Sequence, residues 1–241
     1  MMKLVILCCA SALLFSCTTT PKPETRLQKL NDVGVVALFD ETLPVKYVGT
    51  NKNANKEMSA NISSWSLNQS VAAEIQNGLK DKNKKVFALN VDPVVIKTGK
   101  ETGAQLKDIY LGNRYQALQE YLGTEAEKQG AKYLFVVHPT SLESYTNYRA
   151  GFGFFCQSTA NIKGDLQGYT LVRAQLWNVK TKELEASVNI TPEDLSFNTG
   201  KTCAEALKLG PDKVATLYKE QMLELAKKSA DLVLIRTGLQ N

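Results

Sequence analysis

The chain has 241 residues, of which 44% are hydrophobic and 22% charged, and its formal net charge is +5. This length and balance fit one large globular domain, or two small ones, with a real hydrophobic core. The charged residues are spread along the chain without a block of one sign, which argues against a nucleic-acid-binding protein.

The amino-terminal segment has the composition of an export signal. The first seventeen residues read MMKLVILCCASALLFSC, with Lys3 as a short positive start. The apolar run that follows is shorter than the about 20 residues needed to span a bilayer. Its length is that of the hydrophobic region of a secretory signal, so we predict a signal peptide over residues 1–16.

The end of this run carries the most specific motif of the chain. Leu14-Phe15-Ser16-Cys17 resembles the lipobox of bacterial lipoproteins, in which a cysteine is acylated and becomes the new amino terminus. The resemblance implies that Cys17 carries fatty chains, which together form a durable membrane anchor. Because Thr18 follows the cysteine, it also implies an outer-membrane lipoprotein that faces the periplasm. The alternative is an ordinary cleaved signal with a chance cysteine.

Two further cysteines, Cys156 and Cys203, lie in the part of the chain expected to be exported. In an oxidising periplasm such a pair predicts a disulfide. The alternative is two separately buried thiols. Residues 17–32 are polar and hold two prolines, so we interpret them as a linker between the anchor and a periplasmic domain over residues 33–241.

Apolar runs and helical periodicity predict a single α/β domain. We predict strands over Val33–Phe39, Val86–Leu89, Tyr133–Val137, Tyr169–Val179 and Leu184–Ile190. We predict helices from Ser66 through Leu79, from about Arg114 to Gln129, and from Pro211 to about Ile235. Residues 40–64, 93–108, 141–161 and 191–210 are predicted to be loops or irregular. This order implies a single three-layer domain, with a mixed sheet of about five strands flanked by three helices.

Three segments resemble the small α/β domain of the TolB amino-terminal region and of the envelope lipoproteins CsgG, PelC and LpoB. They are VGVVALFD at 33–40, GAKYLFVV at 130–137 and LWNVKTKEL at 176–184. In the third segment, Asn178 and Lys182 replace the usual aspartate and glycine of the turn. The resemblance spans most of residues 33–236 and implies this α/β fold, but it names no binding residue.

The inventory of catalytic side chains is poor. His138 is the only histidine, and it stands at the end of a predicted strand before Pro139. We interpret it as a hydrogen-bonding residue of the strand end; the alternative is a member of a catalytic triad. The spacing of histidine and cysteine fits no zinc site. We therefore expect a protein that is not an enzyme and that holds no cofactor or metal.

The candidate binding segment surrounds the stretch GFGFFCQ at residues 151–157. If residues 141–161 form a surface loop, their aromatic side chains make an exposed patch of the kind that binds partners. A Cys156–Cys203 bond would hold this loop in place and lower the entropy lost on binding. The alternative is that the phenylalanines fold inward and cover an end of the core. The candidate partner-binding residues are Tyr145, Tyr148, Arg149, Phe152, Phe154 and Phe155.

The sequence therefore favours a lipid-anchored periplasmic accessory protein that binds an envelope partner or its own copies. One alternative is a lipoprotein that binds a small molecule or a glycan through the aromatic side chains. Another is a subunit of an oligomeric secretion or envelope complex.

Overall fold

The computed structural model describes residues 30–80, 85–92, 94, 116–158 and 164–239. The predicted signal peptide, the predicted acylation site Cys17 and most of the predicted linker lie outside these residues. So does the irregular segment predicted over 93–108, apart from Val94.

The described residues form nine strands and five α-helices. The strands are β1 (Val33–Ala37), β2 (Thr42–Val48), β3 (Lys56–Asn61), β4 (Val86–Ala88), β5 (Tyr133–Pro139), β6 (Gly151–Gln157), β7 (Asp165–Asn178), β8 (Leu184–Ile190) and β9 (Ser196–Thr202). The helices are α1 (Leu67–Lys80), α2 (Gln116–Lys128), α3 (Cys203–Leu209), α4 (Pro211–Leu217) and α5 (Lys219–Arg236).

One mixed sheet contains all nine strands, and the long strand β7 connects its two halves. Residues 172–178 of β7 pair with β5 and β8, and β5 continues through β1 to β4; we call these strands the lower half. Residues 165–171 of β7 pair with β6 and β9, and β6 continues through β2 to β3; these form the upper half. Strands β4, β1 and β5 are mutually parallel, as are β2 and β6.

Helices cover both faces of the lower half. Along β1, Val33, Val35 and Ala37 belong to the main core, which also contains the buried residues of α1 and α5. Val36 and the following Leu38 point to the other face and pack with the buried residues of α2. The α/β class and the mixed sheet predicted from the sequence are thus confirmed. The predicted bounds of β8 and the existence of α1 and α2 are also confirmed.

The predicted count of five strands and three helices is too low. The polar segment 40–64 contains the hairpin of β2 and β3, and 191–210 contains β9 and α3. Strand β2 contains Pro44, a residue that argues against a strand, and in β3 only Ala60 is fully buried, so β3 shows no apolar alternation. The predicted last helix is divided at Tyr218 into α4 and α5. Within the described ranges, no helix is long and apolar enough to cross a bilayer.

Candidate functional site

The stretch GFGFFCQ is strand β6, so the prediction of a loop over 141–161 is wrong for these residues. Phe152 and Phe154 point into the main core and are 4% and 0% exposed. Phe155 points to the opposite face of the sheet, where it is 7% exposed in a smaller apolar cluster. Of the two interpretations, the inward packing therefore holds for the phenylalanines. The sequence pattern could not distinguish them because β6 is buried on both faces and shows no alternation.

One glycine of this strand, Gly153, makes room for a tyrosine from the neighbouring strand. A Cβ atom at Gly153 would lie 2.6 Å from the hydroxyl oxygen of Tyr169 and 2.9 Å from its ring carbon Cζ. Gly151 has a φ of +95°, a backbone conformation that other residues rarely adopt. Glycine and aromatic residues thus occur together in this segment because the Tyr169 ring lies directly over the β6 backbone.

The buried Tyr169 hydroxyl fixes the segment that precedes β6. It donates a hydrogen bond to the carbonyl oxygen of Arg149 and accepts one from the backbone N–H of the same residue, each at 3.0 Å. Burial raises the pKa of Tyr169, so the hydroxyl stays protonated and remains a donor at physiological pH. The backbone position of Arg149 is therefore set by a side chain from within the sheet.

Two further tyrosines stack outward from this point. The ring centroid of Tyr148 lies 4.3 Å from that of Phe155 and 4.9 Å from that of Tyr169. Tyr145 follows, with its centroid 6.0 Å from that of Tyr148 in an edge-to-face arrangement. Partial burial raises the pKa of Tyr148, with a smaller contribution from Tyr145. The stack leads from the buried Phe155 to the half-buried Tyr145, so it forms an ordered surface of aromatic rings.

The Arg149 side chain turns back across the sheet to strand β3. Its Nε and Nη2 atoms donate to the two carboxylate oxygens of Glu57, at 2.5 and 2.6 Å. This hydrogen bond from the guanidinium holds the pKa of Glu57 below its ordinary value. Both side chains are largely exposed, so the pair contributes little to stability, but its two-pronged geometry orients both charged groups.

A cleft of about 700 Å³ lies next to this ion pair and the two outer tyrosines, and it is lined in part by Glu57, Tyr145, Tyr148 and Arg149. The cleft lies at the carboxyl ends of β1 and β5, beside Asp40 and Ser141. This edge of an α/β sheet is the one that commonly binds ligands. Its described lining includes the side chains of Asp40, Glu57, Glu143, Tyr145, Tyr148 and Arg149. Three carboxylates against one guanidinium make this lining acidic. Sequence reasoning missed Asp40 and Glu57 because both lie in a polar stretch with no pattern of its own.

The predicted cysteine pair lies on the main-core face of the sheet. Cys156, at the end of β6, is joined by a disulfide to Cys203, the first residue of α3, and the two Cα atoms are 5.7 Å apart. Both residues belong to the main core. The bond ties the strand that carries Phe155 to the helix after β9, so it supports the sheet from the face opposite the Tyr148 stack.

His138 is part of the sheet. It is buried on β5, where Nδ1 lies 2.8 Å from the carbonyl oxygen of Pro139 and Nε2 lies 3.3 Å from Oε1 of Gln175 on β7. These contacts fit the interpretation of a histidine that satisfies a strand end. Within the described ranges, no group of three or more histidine, cysteine and acidic side chains could hold a metal ion.

Comparison with known proteins finds no matching family model and no matching curated protein. Among solved structures, the chain is similar to several proteins, three of which follow. The PelC dodecamer of Paraburkholderia phytofirmans is 12% identical, with 88% of each chain covered and a TM-score of 0.34. A lipoprotein of Neisseria meningitidis is 11% identical, covering 80% of this chain and 99% of that one, with a TM-score of 0.33.

The third is the LpoB carboxy-terminal domain of Salmonella enterica, which is 15% identical over 71% of this chain and 93% of that one, with a TM-score of 0.26. PelC and LpoB are two of the lipoproteins whose domain the sequence resembles.

Proposed function

We propose that this chain is a lipid-anchored accessory protein of a bacterial cell envelope, which acts by binding a partner protein and catalyses no reaction. The observation that carries the proposal is the acidic, tyrosine-lined cleft at the carboxyl ends of β1 and β5. Cys17 supplies the anchor, and the cleft supplies the binding surface.

Tyr145, Tyr148 and Arg149 suit a protein interface. Tyrosine and arginine are enriched among the residues that dominate binding energy. Here their positions are set in advance, because Tyr148 stacks on Phe155 and the Arg149 backbone is fixed by Tyr169. A surface that is already ordered loses less conformational entropy when a partner binds.

The charge of the cleft indicates what the partner presents. Glu57 is already paired with Arg149, while Glu143 is exposed beside the half-buried Tyr145. A lysine or arginine side chain of a partner could pair with this carboxylate and lie on the tyrosine face, since aromatic rings attract cations. We therefore propose a partner segment with at least one basic side chain.

The experiment is site-specific crosslinking in cells, with a photoreactive amino acid at position 145. We expect one discrete protein adduct from position 145 and none from position 217, where Leu217 is exposed on α4. Glu143→Lys should weaken the adduct, because it reverses the charge of the cleft. Glu120→Lys, an exposed carboxylate on α2, is the matched control and should not. The same adduct from both positions would contradict the proposal.

A glycan or another small molecule is the second candidate. The cleft volume of about 700 Å³ falls within the range of about 300 to 1,000 Å³ typical of small-molecule sites. This candidate predicts that an oligosaccharide raises the Tm of the purified protein and that Tyr148→Ala abolishes the effect. If an oligosaccharide raises Tm and position 145 gives no protein adduct, the small-molecule site replaces the protein-binding surface as the proposed function.

The anchor is tested separately. Mass spectrometry of the exported chain should find acyl groups on an amino-terminal Cys17, and Cys17→Ser should abolish acylation. An exported chain that carries no acyl group and fractionates as freely soluble would remove the anchor from the proposal.

A further inference from the structure

The end of the lower half opposite the cleft is where the chain enters the described domain. Leu30 is buried there, two residues before the turn at Asp32. The Asp32 carbonyl accepts from the N–H of Lys132, and the Lys85 carbonyl accepts from the N–H of Val33, at 2.7 and 2.9 Å. The starts of β1, β4 and β5 therefore meet at one surface, together with the β7–β8 turn.

This surface is rich in lysine. The side chains of Lys85 and Lys132 are 73% and 67% exposed, and both pair with the single carboxylate of Asp32, at 3.6 and 2.8 Å. The β7–β8 turn adds Lys180 and Lys182, which are exposed and form no ion pair within the described part of the chain. We call these four lysines the basic end.

Two helices end near this surface, and each has a lysine in its last turn. Helix α1 ends at Lys80 shortly before β4, and α2 ends at Lys128 shortly before β5, so both carboxyl termini point toward the basic end. Lys128 pairs with Glu125, at 2.7 Å. Among the described residues of these segments, the acidic side chains are Asp32, which is shared by two of the lysines, and the exposed Glu183. The basic end is thus net positive, whereas the cleft at the other end of β1 and β5 is acidic.

The tether of the proposed anchor would bring this end to the membrane. Only residues 18–29 separate Cys17 from Leu30. Twelve residues can span at most about 40 Å, even when fully extended. A surface held this close to a bilayer makes frequent contact with it, because the tether replaces free diffusion by a high local concentration.

We propose that the basic end lies against anionic phospholipid headgroups, so that the acidic cleft faces away from the bilayer. This inference rests on the anchor of the proposed function. Lysines near an anionic surface are attracted electrostatically, and the attraction weakens with salt. The same surface would repel the acidic cleft, so the charge distribution favours a single orientation of the domain.

The test uses the full exported chain in vesicles of phosphatidylcholine, with or without added phosphatidylglycerol. The rate at which a water-soluble reagent acylates each lysine is measured by peptide mass spectrometry. On anionic vesicles we expect Lys132, Lys180 and Lys182 to react about 5-fold more slowly than on neutral ones, and high salt should remove the difference. The control lysines, Lys208 on α3 and Lys213 on α4, should react equally on both. Equal rates at the basic end on both vesicles, or equal protection of the control lysines, would overturn the inference.

The same preparation separates this inference from the anchor. If the mass of the exported chain shows no acyl group, the anchor fails, and the chain is instead sedimented with the two kinds of vesicle. Retention on anionic vesicles that is lost in Lys180→Gln/Lys182→Gln, but not in Lys208→Gln/Lys213→Gln, would preserve the lipid-binding surface without the anchor. No retention would overturn both.

Discussion

Removing one hydroxyl group, in Tyr169→Phe, tests whether the sheet fixes the binding segment. The ring is 1% exposed and phenylalanine fills the same space, so the change removes only the two hydrogen bonds to the Arg149 backbone. A net value of about 1 kcal/mol for each neutral hydrogen bond gives a loss of about 2 kcal/mol in the free energy of unfolding. For a chain of this size, each kcal/mol lowers Tm by about 2 to 4 °C, so Tm should fall by about 4 to 8 °C.

The assay is urea unfolding followed by tryptophan fluorescence, with Trp65 buried in the main core as a reporter. The midpoint should fall while the m-value stays constant, since the exposed area hardly changes. Tyr148→Phe is the matched control: it keeps a stacked ring and should change stability by less than about 0.5 kcal/mol, the usual range for a substitution outside a named structural feature. If Tyr169→Phe stays within the same limit, the hydroxyl does not fix the Arg149 segment and the preorganisation of the cleft is refuted.

Three further substitutions test other parts of the structure. Cys156→Ala/Cys203→Ala removes a disulfide that joins positions 47 residues apart. The gain in chain entropy of the unfolded state should lower the free energy of unfolding, measured with urea, by about 4 kcal/mol. A loss under about 1 kcal/mol would contradict this prediction. Gly153→Ala should destabilise by about 1 to 3 kcal/mol through overpacking, whereas Gly123→Ala, whose Cβ meets nothing within 4 Å, should not. An arginine hydrogen bond lowers the pKa of Asp194 from 3.8 to about 2. The resulting stabilisation is present above pH 3.8 and is lost as the pH falls toward 2. Asp194→Asn should therefore reduce the fall in Tm between pH 3.8 and pH 2. An equal fall in Tm in the variant and the unchanged protein would contradict the lowered pKa of Asp194.

The sequence was most informative where a local pattern is enough to define an element. The apolar run over Val33–Phe39 and the four-residue spacing of Leu67, Val71, Ile75 and Leu79 predict β1 and α1, because burial of a strand or of one helix face leaves a regular trace. The same reasoning failed for β2, β3 and β9. Strands β2 and β3 pair with each other as a hairpin and β9 pairs with the distant β7, and all three lie in stretches of mostly polar residues.

The candidate site was predicted only in part. Tyr145, Tyr148 and Arg149 were selected because aromatic and arginine side chains cluster there, and the structure places all three at the cleft. The role of Tyr169 and the presence of Glu57 could not be predicted. Glu57 pairs with Arg149 across 92 positions, and this pairing exists only because β2 lies between β3 and β6 and pairs with both.

By itself, the sequence determined the α/β class, the central strands and helices, and the motif that predicts a lipid anchor. Each of these depends on residues that are neighbours in the chain. Tertiary structure alone decided that the phenylalanines of β6 turn inward, that a tyrosine ring covers Gly153, and that acidic and basic groups separate to opposite ends of the sheet. These features depend on strand order and register, which join residues far apart in sequence and leave no local pattern.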